Sequence, residues 1–83
     1  MDHYLFTARS VTHAQRMAQI LERVGVPVRM RRAGNSVTKN GCGYTLQIAE
    51  RKYGQAIDAL REAGVRPVGV FHVVNGERRE VTV

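Results

Sequence analysis

The chain has 83 residues, of which 43% are hydrophobic, and a formal charge of +6 at pH 7. That length makes a single domain over residues 1–83 with one modest core, and it leaves no room for a separate cofactor domain or a deep substrate cavity. The charge favours an anionic partner such as nucleic acid, an acidic protein or a small anion, without choosing among them.

No run approaches the ~20 apolar residues that span a bilayer. Met1-Asp2-His3 does not open the basic-then-apolar pattern of a secretory signal. The expected location is therefore cytoplasmic, with no membrane partner. Cysteine use agrees, because the single Cys42 cannot form an internal disulfide.

In chain order, Tyr4-Leu5-Phe6-Thr7-Ala8 reads as a first strand. A helix follows over about residues 12–24. Thr12 with Gln15 fits the reciprocal capping pattern, and Ser10 is a rival cap. Ala14, Met17, Ala18, Leu21 and Val24 recur at helical spacing and should face the core. Gly25 stops the helix, and Pro27 opens a second strand through Arg29 and Arg31. Residues 33–43 are small, polar and Gly-rich, so they form a loop.

Tyr44-Thr45-Leu46-Gln47-Ile48 is the third strand, with Tyr44, Leu46 and Ile48 on its buried side. A second helix covers about residues 50–63, with Tyr53, Ala56, Ile57 and Leu60 as its stripe. Gly54 weakens its start. Gly64 and Pro67 then lead into a fourth strand. Asn75-Gly76 is a tight hairpin signal, after which Val81-Thr82-Val83 can return as a fifth, edge strand.

An internal repeat organises these elements. Leu21 recurs as Leu60 and Gly25 as Gly64, each 39 positions on, and Pro27 recurs as Pro67. The order is β-α-β twice, which predicts an α+β, ferredoxin-like βαββαβ two-layer sandwich. A right-handed crossover then gives an antiparallel sheet of order 4-1-3-2, with both helices on one face.

The chemistry concentrates on Asn40-Gly41-Cys42-Gly43. Gly41 and Gly43 leave the sulfur uncrowded. Topology places Cys42 at the sheet end where strand 1 runs into the first helix, near Ser10, Thr12 and His13. Unpaired helix N–H groups there favour a thiolate. Arg9, Arg31, Arg32 and Lys39 add positive charge at the same end. His3 and His72 read as ordinary strand residues. One Cys and three scattered His match no zinc ligand spacing, so neither a metal nor a cofactor is expected.

These stretches resemble the selenium/sulfur carrier-protein-like family. The likeness rests on residues 6–14, the strand entry Val24-Gly25-Val26-Pro27-Val28, the Asn40-Gly41-Cys42-Gly43-Tyr44 segment and the second Ala63-Gly64-Val65. The family loop is often serine-rich before its cysteine, where this chain has Thr38-Lys39-Asn40-Gly41. The resemblance implies a cysteine that carries sulfur or selenium as a persulfide or selenopersulfide. Such a carrier acts with a donor, for example a cysteine desulfurase-type enzyme, and with an acceptor protein, and is not itself a free-standing enzyme.

Two other readings use the same fold. An RNA-binding module of the RRM type would stack bases on strand 3, but the alternation there buries Tyr44, Leu46 and Ile48, which disfavours nucleic acid. A regulatory or structural module would form a homodimer through the half-sheet of strands 1 and 4, apolar on both faces with Tyr4, Leu5 and Phe6 on one strand and Val68, Val70, Phe71 and Val73 on the other.

Overall fold

The computed structural model describes residues 2–32 and 44–81. The elements are β1 (His3–Ala8), α1 (Val11–Arg23), β2 (Arg29–Arg32), β3 (Tyr44–Ala49), a 3₁₀ turn (Glu50–Lys52), α2 (Tyr53–Ala63), β4 (Gly69–Val74) and β5 (Glu77–Val81). The expected loop 33–43 and the end of the expected fifth strand, Thr82-Val83, lie outside the described residues.

Both helices end by the same device. Gly25 (φ 82°) and Gly64 (φ 71°) adopt left-handed backbone that a side chain would strain. At the first stop, Gly25 N–H donates to Glu22 O at 3.1 Å and Val26 N–H to Leu21 O at 2.9 Å. At the second, Gly64 N–H donates to Arg61 O at 3.1 Å and Val65 N–H to Leu60 O at 3.0 Å. This paired 5→2 and 6→1 pattern is the Schellman motif. It turns Val26 and Val65 back into the core, where both are buried. The sequence repeat is thus a repeated helix stop. Val24, expected in the core, is instead 41% exposed, because the turn hands its place to Val26.

The five strands lie in the order β2-β3-β1-β4-β5, and all neighbours are antiparallel. Read from the other edge this is 5-4-1-3-2, the expected four strands with β5 added outside β4. β5 begins at Glu77, earlier than expected. Asn75 (φ 52°) and Gly76 (φ 84°) make a tight turn that brings Glu77 directly opposite Val74. The charged Glu77-Arg78-Arg79-Glu80 run shows no apolar alternation, yet it suits an edge strand.

On the helix-facing side, Phe6 sits in register between Leu46 and Val70, and all three are fully buried. Ala14, Met17 and Leu21 of α1 and Ala56, Ala59 and Leu60 of α2 close over them. α2 starts later than expected. Residues 50–52 form a 3₁₀ turn, and no side chain caps the helix at Lys52.

At the pole of the sheet where β1 begins, aromatic rings stack in a column. Tyr4 lies against Tyr53 (centroids 3.8 Å apart, 16° between planes) and against His72 (4.2 Å, 4°). His72 Nε2 meets Glu50 Oε2 at 2.7 Å. His72 is therefore not an ordinary strand residue, because it joins β4 to the approach to α2. Burial, then the nearby Tyr53 and Glu50, raise the Tyr4 phenol above its usual pKa.

Ser10 caps α1: its Oγ accepts from His13 N–H at 3.1 Å. The Thr12–Gln15 capping pattern is not used, because the helix starts at Val11 and Thr12 is already inside it. Ser10→Ala should therefore cost about 1 kcal/mol in urea denaturation. Thr12→Ala should stay within about 0.5 kcal/mol of the parent, and the reverse ranking would reassign the cap.

The Tyr4 shift gives a second prediction. The native phenol holds its proton to higher pH than in the unfolded chain. Its contribution is complete below about pH 10 and is lost as pH rises above it. Stability measured from about pH 9 to about pH 11 should fall less steeply in Tyr4→Phe than in the parent. Parallel profiles would show that the phenol does not feel its surroundings.

Candidate functional site

The opposite pole gathers the ends of several elements. Ala8 pairs with Tyr44, Arg32 with Tyr44, and Thr7 with Gly69. β1 and β2 therefore finish where β3 and β4 start, and α1 begins where α2 stops. Cys42, Gly41, Gly43 and Lys39 lie outside the described residues, as does the side chain of Arg32. Tyr44, two positions after Cys42, is the point where the chain re-enters the sheet.

Ser10 and His13 are organised together at this pole. With its Oγ on the His13 N–H, Ser10 also accepts from Ala14 N–H through its own carbonyl at 3.0 Å. The His13 ring is held at both nitrogens. Arg9 N–H donates to Nδ1 at 3.2 Å, and Nε2 lies 2.9 Å from Arg66 O. Only the tautomer with its proton on Nε2 satisfies both contacts. The sequence reading placed His13 beside the cysteine as an activating group. Among the described residues its ring instead fastens the start of α1 to the α2–β4 connection. Thr12 is exposed on the first turn of α1.

Arg31 stands apart from this cluster. It pairs with Thr45, which pairs with Thr7, so all three share the face away from the helices. Two strand spacings of ~4.8 Å separate the β2 backbone from β1. Thr7 and Thr45 are buried there, and Thr7 Oγ1 donates to Gly69 O at 3.2 Å.

The same open face carries Leu5, Phe71 and Val73, flanked in register by Arg29 on one side and by Arg78 and Glu80 on the other. On β1 and β3 this face presents His3, Leu5, Thr7, Thr45, Gln47 and Ala49. An RRM-type stacking platform would need aromatic side chains at those positions. Tyr44, Leu46 and Ile48 lie on the helix side, as the alternation predicted.

Beside His13, between α1 and the end of α2, is a cleft of about 630 Å³. Arg9, Arg16, Arg61 and Arg66 line it together with His13, Ile57, Gly64, Val65 and Pro67. Of these, the sequence marks only Arg9 and His13 as site residues; Ile57, Gly64, Val65 and Pro67 read as framework. Arg16 is 45 positions from Arg61, and the three form no motif, so only the net charge hinted at them. Among the described residues, no group of three or more His, Cys, Asp or Glu is placed to hold a metal ion, and no helix is long and apolar enough to cross a membrane.

Replacing His13 with Ala removes both ring contacts while leaving the Ser10 cap in place. Stability should drop by about 1 kcal/mol, and the amide resonances of Arg66 and Pro67's neighbour Val68 should shift. An unchanged spectrum at the α2–β4 connection would show that the bridge holds nothing.

Neither curated proteins nor solved structures gave a significant match. The profile of the family described as "Putative Se/S carrier protein-like" matches residues 3–72, from the first strand into the fourth. That span contains the whole α-β framework described above except the end of β4 and the β5 hairpin, and the chain belongs to this family.

Proposed function

We propose that the protein carries sulfur or selenium as a persulfide or selenopersulfide on Cys42 and passes it to a partner protein. The observation that carries this reading is membership of the carrier-like family in a chain with a single cysteine. Gly41 and Gly43 on either side leave that thiol unhindered in covalent terms. Cys42 is two positions before Tyr44, a span of at most ~7 Å of chain, and Tyr44 enters the sheet at the pole where α1 starts. The first turn of α1 has no acidic residue to offset its positive end. Arg9 lies at the same pole, Lys39 is three positions before Cys42, and Arg32 precedes the loop. Positive charge of this kind favours a thiolate and favours the more acidic persulfide still more.

The transfer is an exchange between sulfurs. The Cys42 thiolate attacks the outer sulfur of a persulfide on the donor. The donor's S–S bond breaks, a new S–S bond forms at Cys42, and the donor cysteine leaves as a thiolate. No net oxidant is consumed. A second exchange, with an acceptor thiolate, unloads the carrier. A cysteine desulfurase-type enzyme suits the donor role, and Arg9, Arg31 and Lys39 suit an acidic docking face on it.

Incubation with such a donor, followed by mass spectrometry, tests the reading. The Cys42 peptide should gain the mass of one sulfur, and Cys42→Ser should not load. The alkylation rate of Cys42 should titrate below the ordinary thiol value of about 8.5. Cys42→Ser should keep the parent's stability, because the described core draws on β1, α1, β3, α2 and β4. A variant that unfolds would make the cysteine structural and end the carrier reading.

A further inference from the structure

We infer that the arginine cleft between α1 and α2 is a binding site for a small organic phosphate. Every residue named for the site lies among the described residues, and the inference does not rest on the carrier reading.

Charge is the first argument. Arg9, Arg16, Arg61 and Arg66 converge on a single cleft from the β1–α1 connection, α1, α2 and the α2–β4 connection. Among the described residues, no carboxylate pairs with any of these four arginines, and the His72–Glu50 and Arg79–Glu77 contacts lie away from this pole. The carboxylates of α2, Asp58 and Glu62, do not line the cleft. Four like charges facing one space repel one another, and that repulsion costs stability unless an anion occupies the space. Guanidinium groups bind phosphate oxygens in forked pairs, so arginine is the residue suited to this task. The start of α1, with no acid in its first turn, adds to the positive potential at the rim.

Shape is the second argument. A volume of about 630 Å³ far exceeds one phosphate group and falls among small-molecule pockets of roughly 300–1,000 Å³. Ile57, Val65 and Pro67 give the cleft an apolar wall. A bare inorganic anion would leave that wall unused. A ligand with a phosphate at one end and a ring or alkyl body at the other would use both.

The third argument is rigidity. Arg66 belongs to a connection that is tied down, because its carbonyl is bound to His13 Nε2 at 2.9 Å, while Arg9 N–H is bound to the same ring. The Schellman stop at Gly64 fixes the end of α2. Two of the four guanidiniums are thus carried on backbone already fastened before any ligand arrives, which lowers the ordering cost of binding.

The test is calorimetric titration of the full chain at low salt with three probes: adenosine 5′-diphosphate, inorganic pyrophosphate and adenosine. The diphosphate nucleotide should bind at least about fivefold more tightly than pyrophosphate, and adenosine alone should give no measurable heat. The double variant R16Q/R61Q should weaken nucleotide binding at least about tenfold. R78Q/R79Q on β5, which removes the same charge elsewhere, should change it less than about twofold. Equal losses in the two double variants would reduce the effect to net charge and overturn the site. Equal affinity for pyrophosphate and the nucleotide would overturn the organic body. A single-stranded decanucleotide that binds more than about tenfold tighter than the nucleotide, with the same dependence on Arg16 and Arg61, would assign the cleft to nucleic-acid backbone instead. Thermal midpoints of both variants without ligand verify folding, and these side chains are exposed, so R16Q/R61Q should melt no lower than the parent.

Discussion

β1 is hydrogen-bonded along both edges, to β3 on one side and β4 on the other, and the rest of the molecule follows from that position. Its residue Phe6 is the centre of the helix-side core, between Leu46 and Val70 in register. With β1 in the middle, β2 and β5 become the edges. The connections from β1 to α1 and from α2 to β4, and the points where β2 ends and β3 begins, all fall at one pole. The cationic cleft exists because of this gathering. Its arginines come from two stretches of chain, Arg9 with Arg16 and Arg61 with Arg66, which meet because the β1–α1 and α2–β4 connections share that pole.

The two poles have opposite characters. At one, Tyr53, Tyr4 and His72 stack in a column closed by Glu50, so apolar ring surface and one side-chain hydrogen bond knit the 3₁₀ turn, α2, β1 and β4 together. Ring stacking contributes beyond the area it buries. At the other, a histidine and a serine satisfy backbone groups while the arginines keep their charge unpaired among the described residues. The charge left unpaired at the second pole suits anion binding, which needs charge uncompensated until the ligand arrives.

His13 illustrates how the same residue reads differently with and without its neighbours. The expected topology sets a histidine in the first turn of a helix near a lone cysteine. The fold shows both ring nitrogens engaged, one by Arg9 N–H and one on Arg66 O. The side chain behaves as a strut between two connections.

Periodicity and punctuation determined the architecture. The apolar spacing of Ala14, Met17 and Leu21, the alternation of Tyr44, Leu46 and Ile48, and the Asn75-Gly76 turn are local signals, and local backbone physics answers them directly. The Leu-Gly-Pro repeat was equally legible, since only glycine takes the left-handed turn that both Schellman stops require. Tertiary structure decided what depends on neighbours from other elements. It chose Ser10 over Thr12 as the cap, moved Val24 out of the core and Val26 in, and drew His72 into an aromatic stack. It also assembled Arg9, Arg16, Arg61 and Arg66 into one cleft. None of these carries a sequence pattern, because a cluster made across 57 positions of chain, from Arg9 to Arg66, is fixed by strand order and helix packing and not by spacing.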